Sequence, residues 1–210
     1  MLAAPAFQLL LLSQPEVSVT ELALLPDLFA AGLTRFHVRK PGWPATQMAA
    51  YVAAVAVQYR SRLVLHGHAP LVRRYRLGGL HLTASQRTAL RQRPALGPAQ
   101  SLSTSFHSLD EISQARRRYD YVFLSPIFDS ISKAGYVGGF ELPALQTRLH
   151  DMVTRAAYCP PILALGGITV ENMSLLAPLG FAGAAVLGSV WQSADPVSAF
   201  QQLQQGAQGY

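Results

Sequence analysis

Residues 162–189 read ILALGGITVENMSLLAPLGFAGAAVLGS: an apolar run, a glycine pair, an amphipathic stretch, a second apolar run and another glycine. A short apolar run that passes straight into glycine and then into helix-period spacing is half of a strand–helix–strand unit with parallel strands. Outward from this segment the same alternation covers the whole sequence. Strands are expected at 7–12, 34–39, 63–66, 79–82, 100–105, 121–125, 162–165 and 184–187. Helix-like stretches fall at 19–31, 46–58, 71–75, 109–118, 143–153, 170–179 and 196–205, with a less regular one at 84–96. Eight strands alternating with helices, without a linker, predict a single (β/α)8 TIM barrel over residues 1–210. An open doubly wound sheet would show a Gly-rich nucleotide turn after the first strand, where Ser13, Gln14 and Pro15 stand instead.

Half of the 210 residues are hydrophobic and 13% are charged, which supplies one sizeable core. The net charge of +6 is mostly arginine, since Lys40 and Lys133 are the only lysines. Clusters such as Arg73, Arg74 and Arg76, or Arg116, Arg117 and Arg118, read as solvated helix faces. No aromatic ladder or zinc spacing accompanies them, so a nucleic-acid partner is not expected. The apolar run 7–12 is too short to span a bilayer and has no basic leader, so no membrane partner is expected either. The lone Cys159 excludes an internal disulfide and fits a reducing compartment, which places the protein in the cytoplasm.

Strands of a parallel barrel are covered on both faces and should be almost wholly apolar. Several here are not. Alternation puts Arg35, His37 and Arg39 on the inward face of the second strand, with Arg39 at its upper end. The third strand ends in His66-Gly67-His68, the fourth carries His81, and the fifth sets Ser101, Ser103 and Ser105 on one face. Barrel active sites are built at these strand ends, so the histidines are candidate site residues. Gly166 and Gly167 follow strand seven, and Gly188 and Ser189 follow strand eight. Glycine turns let backbone N–H groups approach an anion, and this is the usual phosphate position of the architecture. Ser130, Ser132 and Lys133, after strand six, would add hydroxyls and a point charge, with Lys40 next to Arg39 as the second lysine.

Taken together, these segments resemble the thiamine phosphate synthase and TenI superfamily over essentially the whole chain. The likeness is carried by Phe36-His37-Val38-Arg39-Lys40, by Ser105-Phe106-His107-Ser108 with Asp110 and Glu111, by 120–133 with serines at Ser130 and Ser132, and by the two glycine segments. The resemblance implies that Ser105, Ser130, Ser132, Lys133, Gly167 and Gly188 hold the phosphate of a hydroxyethyl-methylthiazole.

The synthase also holds a pyrimidine diphosphate through magnesium, which requires oxygen ligands. Its asparagine–aspartate pair corresponds to His66 and Gly67, and its second aspartate falls near Gln86; Lys40 and Pro41 replace a glutamate and a lysine. Asp129 is the one acidic residue of the expected rim placed to help. The TenI branch lacks the same ligands, carries a histidine like His37 and a glycine like Gly67, and is associated with metal-free tautomerisation of a thiazole phosphate. Its shuttle histidine aligns with Pro126, so His37, His66 or His68 would move the proton. The leading expectation is therefore a tautomerase with no cofactor. The alternatives are the synthase, with magnesium if that reading holds, and a non-catalytic thiazole phosphate binder. A homo-oligomer is compatible with each.

Overall fold

The computed structural model describes residues 6–129 and 139–207. Eight strands close into an all-parallel barrel in sequence order: β1 (Gln8–Leu12), β2 (Phe36–Val38), β3 (Leu63–His66), β4 (Gly79–Leu82), β5 (Ser101–Phe106), β6 (Tyr121–Leu124), β7 (Ile162–Leu165) and β8 (Gly183–Val186). The expected (β/α)8 barrel is the observed one. The helices are α1 (Val19–Ala30), α2 (Ala45–Ala54), α3 (Ala69–Arg74), α4 (Ala84–Ala89), α5 (Leu109–Ser113), α6 (Leu142–Arg155), α7 (Val170–Met173), α8 (Leu176–Leu179), α9 (Gly188–Trp191) and α10 (Pro196–Ala207).

Period-two alternation divides the apolar residues between two cores. Leu9, Leu11, Phe36, Val38, Leu65 and Leu102 face outward and pack beneath the helices. Leu10, Leu12, Tyr121, Phe123, Leu163 and Ala185 fill the β1, β6, β7 and β8 side of the barrel interior. Strand register sets the remaining interior. Leu12 pairs with His37, His66 with His81, His81 with Ser103, and Ser103 with Tyr121. The polar residues of β2 to β5 therefore form adjoining layers inside the barrel.

Four helices differ from expectation, the stretch 84–96 being helical only over Ala84–Ala89. The stretch 46–58 stops at Ala54 and resumes as a 3₁₀ turn at Val57–Arg62. Arg60 donates to the carbonyls of Ala53 and Val55, supplying partners for orphan groups at the break. The stretch 109–118 is helical only to Ser113. Arg116, Arg117 and Arg118 lie beyond it, and Arg117 donates to the Leu90 carbonyl, so they are loop residues and not a helix face. The stretch 170–179 divides into α7 and α8. No described helix is long and apolar enough to cross a membrane.

Candidate active site

A cavity of about 430 Å³ opens at the C-terminal ends of the strands. Its wall takes Arg39 from the β2 end, His66 from β3, His81 and Thr83 from β4, Ser105 and His107 from β5, and Ser125 and Pro126 from β6. Gly166, Gly167, Gly188 and Ser189 close it from β7 and β8. The predicted glycine turns thus share one cavity with Arg39, His66 and Ser105. Ser130, Ser132 and Lys133 lie outside the described residues.

Gly166 and Gly167 have φ of +99° and +65°, where a side chain would be strained. A Cβ on Gly167 would also stand 2.2 Å from the Asp129 carbonyl oxygen, and one on Gly166 3.0 Å from Pro126. These glycines let the β6 and β7 loops meet, while their turn forms part of the cavity wall. The Ser189 hydroxyl, in the same wall, is buried and has no hydrogen-bond partner among the described residues. An unpaired buried hydroxyl costs free energy that a bound acceptor would recover.

The histidines form a hydrogen-bonded stack. His37 is fully buried; its Nε2 lies 2.8 Å from the Tyr121 hydroxyl and its Nδ1 3.1 Å from His66 Nε2. His81 places Nδ1 2.9 Å from Ser103 Oγ and Nε2 3.0 Å from Ser105 Oγ. His66 stacks on His81 with ring centroids 4.1 Å apart and an interplanar angle of 21°. Burial holds all three imidazoles below the ordinary histidine range, His81 down to about 3, with Arg39 contributing at His66 and His81. They are neutral at pH 7. Their ligating atoms lie within 4.8 Å of one another, a span a transition metal could bridge. A metal–imidazole bond lies in the ring plane, however, and the near-parallel rings of His66 and His81 do not aim at a common point. The hydroxyls of Ser103 and Ser105 also engage both nitrogens of His81.

Three predicted residues are not brought into the cavity wall: His37, held behind His66 by its two hydrogen bonds, Lys40 and His68. Lys40 points away, because its ammonium is buried against the Glu21 carboxylate at 2.8 Å. It also donates to the carbonyls of Gln14 and Glu16, and lies over the rings of Trp43 and Tyr51. This cluster holds the β1 and β2 loops together, and Ser13 Oγ bonds both the amide and the carbonyl of Arg39. His68 starts α3 in a left-handed conformation and lines no part of this cavity. From the sequence, His81 stands among the candidate site histidines without a chemical role, and neither Glu21 nor Tyr121 is singled out. Glu21 carried a signal: it occupies an apolar-face position of α1, in register with Leu25, Leu28 and Phe29.

A family model described as thiamine monophosphate synthase matches residues 9–190. The chain belongs to the thiamine monophosphate synthase family. Among similar family proteins, the thiamine-phosphate synthase of Listeria innocua is 25% identical over 190 residues, 86% of each chain. That of Bacillus licheniformis is 25% identical over 195 residues, 89% of this chain and 84% of the relative. A thiamine phosphate pyrophosphorylase structure from Bacteroides thetaiotaomicron superposes with a TM-score of 0.77 at 28% identity, covering 96% of this chain and 98% of that one. A Pyrococcus furiosus structure, at 18% identity and a TM-score of 0.76, confirms the fold alone.

These likenesses overturn the tautomerase expectation, because the relatives carry the name of the transferase. The site gives a physical reason as well. Pro126 stands in the cavity wall at the position where the resemblance puts a shuttle imidazole; His37 is sealed behind its two hydrogen bonds and His68 is outside, which leaves His66, held neutral by burial, as the one candidate of the three that lines the cavity. The magnesium that the family implies has poor ligands here. No carboxylate lines the cavity among the described residues, and Gln86 packs against Gly67, two positions that correspond to aspartates of the synthase. A hard cation wants several oxygens, preferably anionic. The described residues do not fit a magnesium diphosphate.

Proposed function

We propose that the protein is a transferase of the thiamine-phosphate synthase type, joining a pyrimidine-methyl diphosphate to a thiazole phosphate. The observation that supports this most is a single cavity with anion-recognising groups in two places: the glycine turns with Ser189 on the β7 and β8 side, and Arg39 on the β2 side. The thiazole phosphate would rest on Gly166, Gly167, Gly188 and Ser189, with Ser105, Ser130, Ser132 and Lys133 as further donors. Arg39, permanently charged and fixed through Ser13, would face the diphosphate.

The bond between the pyrimidine's methylene carbon and the diphosphate oxygen breaks, and its electron pair leaves with the diphosphate. The lone pair of the thiazole nitrogen makes the new C–N bond. This exchange needs no proton shuttle, which suits a cavity whose buried imidazoles are neutral. Reach and orientation then decide the rate, as expected for catalysis by positioning. No organic cofactor enters this scheme.

The test supplies both substrates with and without magnesium and follows thiamine phosphate and diphosphate together. Equimolar appearance of the two is the expected result. Thiazole phosphate that binds tightly in calorimetry while no thiamine phosphate forms under either condition would replace this reading with a non-catalytic binder.

A further inference from the structure

A hydrogen-bond chain runs along the inner face of the barrel and ends in the cavity. It begins at Tyr121, whose hydroxyl is bordered by the Arg35 guanidinium and by the hydroxyls of Ser101 and Ser103. It continues over 2.8 Å to His37 Nε2, then from His37 Nδ1 over 3.1 Å to His66 Nε2. His66 Nδ1 has no protein partner among the described residues, and its ring lines the cavity.

The chain has a direction. A guanidinium only donates, so the Tyr121 oxygen can accept from Arg35, and the lock requires that its own proton go to His37 Nε2 and not to the Ser101 or Ser103 hydroxyls. His37 is neutral and carries one N–H, which must then lie on Nδ1 and point at His66 Nε2. His66 is neutral too, so its proton sits on Nδ1, the nitrogen left for the cavity. Protonating either ring would set donor against donor, and burial already opposes it. The field of Arg39 acts at the same ring. A neutral N–H and a guanidinium therefore stand together in a wall that, among the described residues, offers no carboxylate to hold a cation.

We infer that Tyr121 and His37 are positioning residues that lock His66 in its Nδ1–H form, so that His66 and Arg39 together receive a phosphoryl oxygen of the diphosphate directly. The lock rests on the hydrogen-bond chain above and on that direction of donation; naming diphosphate as its ligand rests on the transferase reading. A hydrogen bond fixed before the ligand arrives requires no reorganisation as negative charge grows on the leaving group.

Nitrogen-15 histidine spectra of chelator-treated protein distinguish the two neutral tautomers, with His66→Gln assigning the signal. His37 and His66 are expected in the Nδ1–H pattern. Tyr121→Phe removes the donor and should give mixed tautomers at both. Inorganic diphosphate added without divalent cation should move the His66 Nδ1 signal, and Tyr121→Phe should weaken its binding about tenfold. His66→Gln, which keeps an N–H donor, should bind more tightly than His66→Leu. An Nε2–H pattern at His66 in the unaltered protein overturns the lock, as does a pattern indifferent to Tyr121→Phe. A His66 signal that diphosphate leaves unmoved overturns the ligand assignment. If these spectra hold while thiamine phosphate never forms, the transferase reading falls and the lock stands.

Discussion

At the residue scale, Lys40 shows how a charge acquires a role from its partner. Its ammonium and the Glu21 carboxylate are both fully buried, and Glu21 also accepts from Tyr51 and from the Gln14 amide. Burial and the neighbouring carboxylate push the Tyr51 hydroxyl above its ordinary range, so it stays a donor. Removing one partner of such a pair leaves an uncompensated buried charge, which costs about 3–5 kcal/mol. Lys40→Met should lose that much in chemical denaturation, and adding Glu21→Gln should restore a large part of it. Equal losses in the single and double variants would show that the pair does not behave as a unit. The sequence placed Lys40 beside Arg39 correctly, but its direction depended on a glutamate 19 residues away on α1.

At the scale of elements, the strand ends were legible because glycine, histidine and serine interrupt runs that should be apolar. The β7 turn reads from the sequence as a phosphate loop, and the structure adds a packing reason for the same glycines. Gly167→Ala should destabilise the protein by more than the roughly 1–2 kcal/mol that a left-handed alanine costs, because its methyl would strike the Asp129 carbonyl. Gly42 is the control: its φ is +79°, yet a Cβ there meets nothing within 4 Å. The difference between the two alanine variants in denaturant midpoint measures the contact between the β6 and β7 loops. Similar losses at both sites would remove that contact from the account. The helix ends were less legible, since the Arg60 side chain that supplies partners at the end of α2 comes from a separate turn.

At the scale of the molecule, a barrel interior that is apolar on one side and imidazole-lined on the other makes stability depend on acid. The histidine values are lowered in the folded state, so between about 3 and 6.5 the unfolded chain binds protons at His81 that the native fold excludes. Stability is therefore full above the unfolded value and falls as pH drops through this window. By pH 5, His81 alone should remove about 2 kcal/mol, with His37 and His66 acting in the same direction. Denaturation curves at pH 7 and pH 5 check this, and His81→Gln should flatten the difference; no change between the two pH values would contradict the neutral stack. The sequence by itself determined the eight-strand alternation, the inward polar face and the glycine turns, because strand period and glycine's conformational range are local properties of the chain. Only the closed barrel decided which polar groups meet. It brought Tyr121 to His37 across 84 residues and turned Lys40 to Glu21, because burial leaves a polar group stable only where a partner from another strand or helix stands within reach.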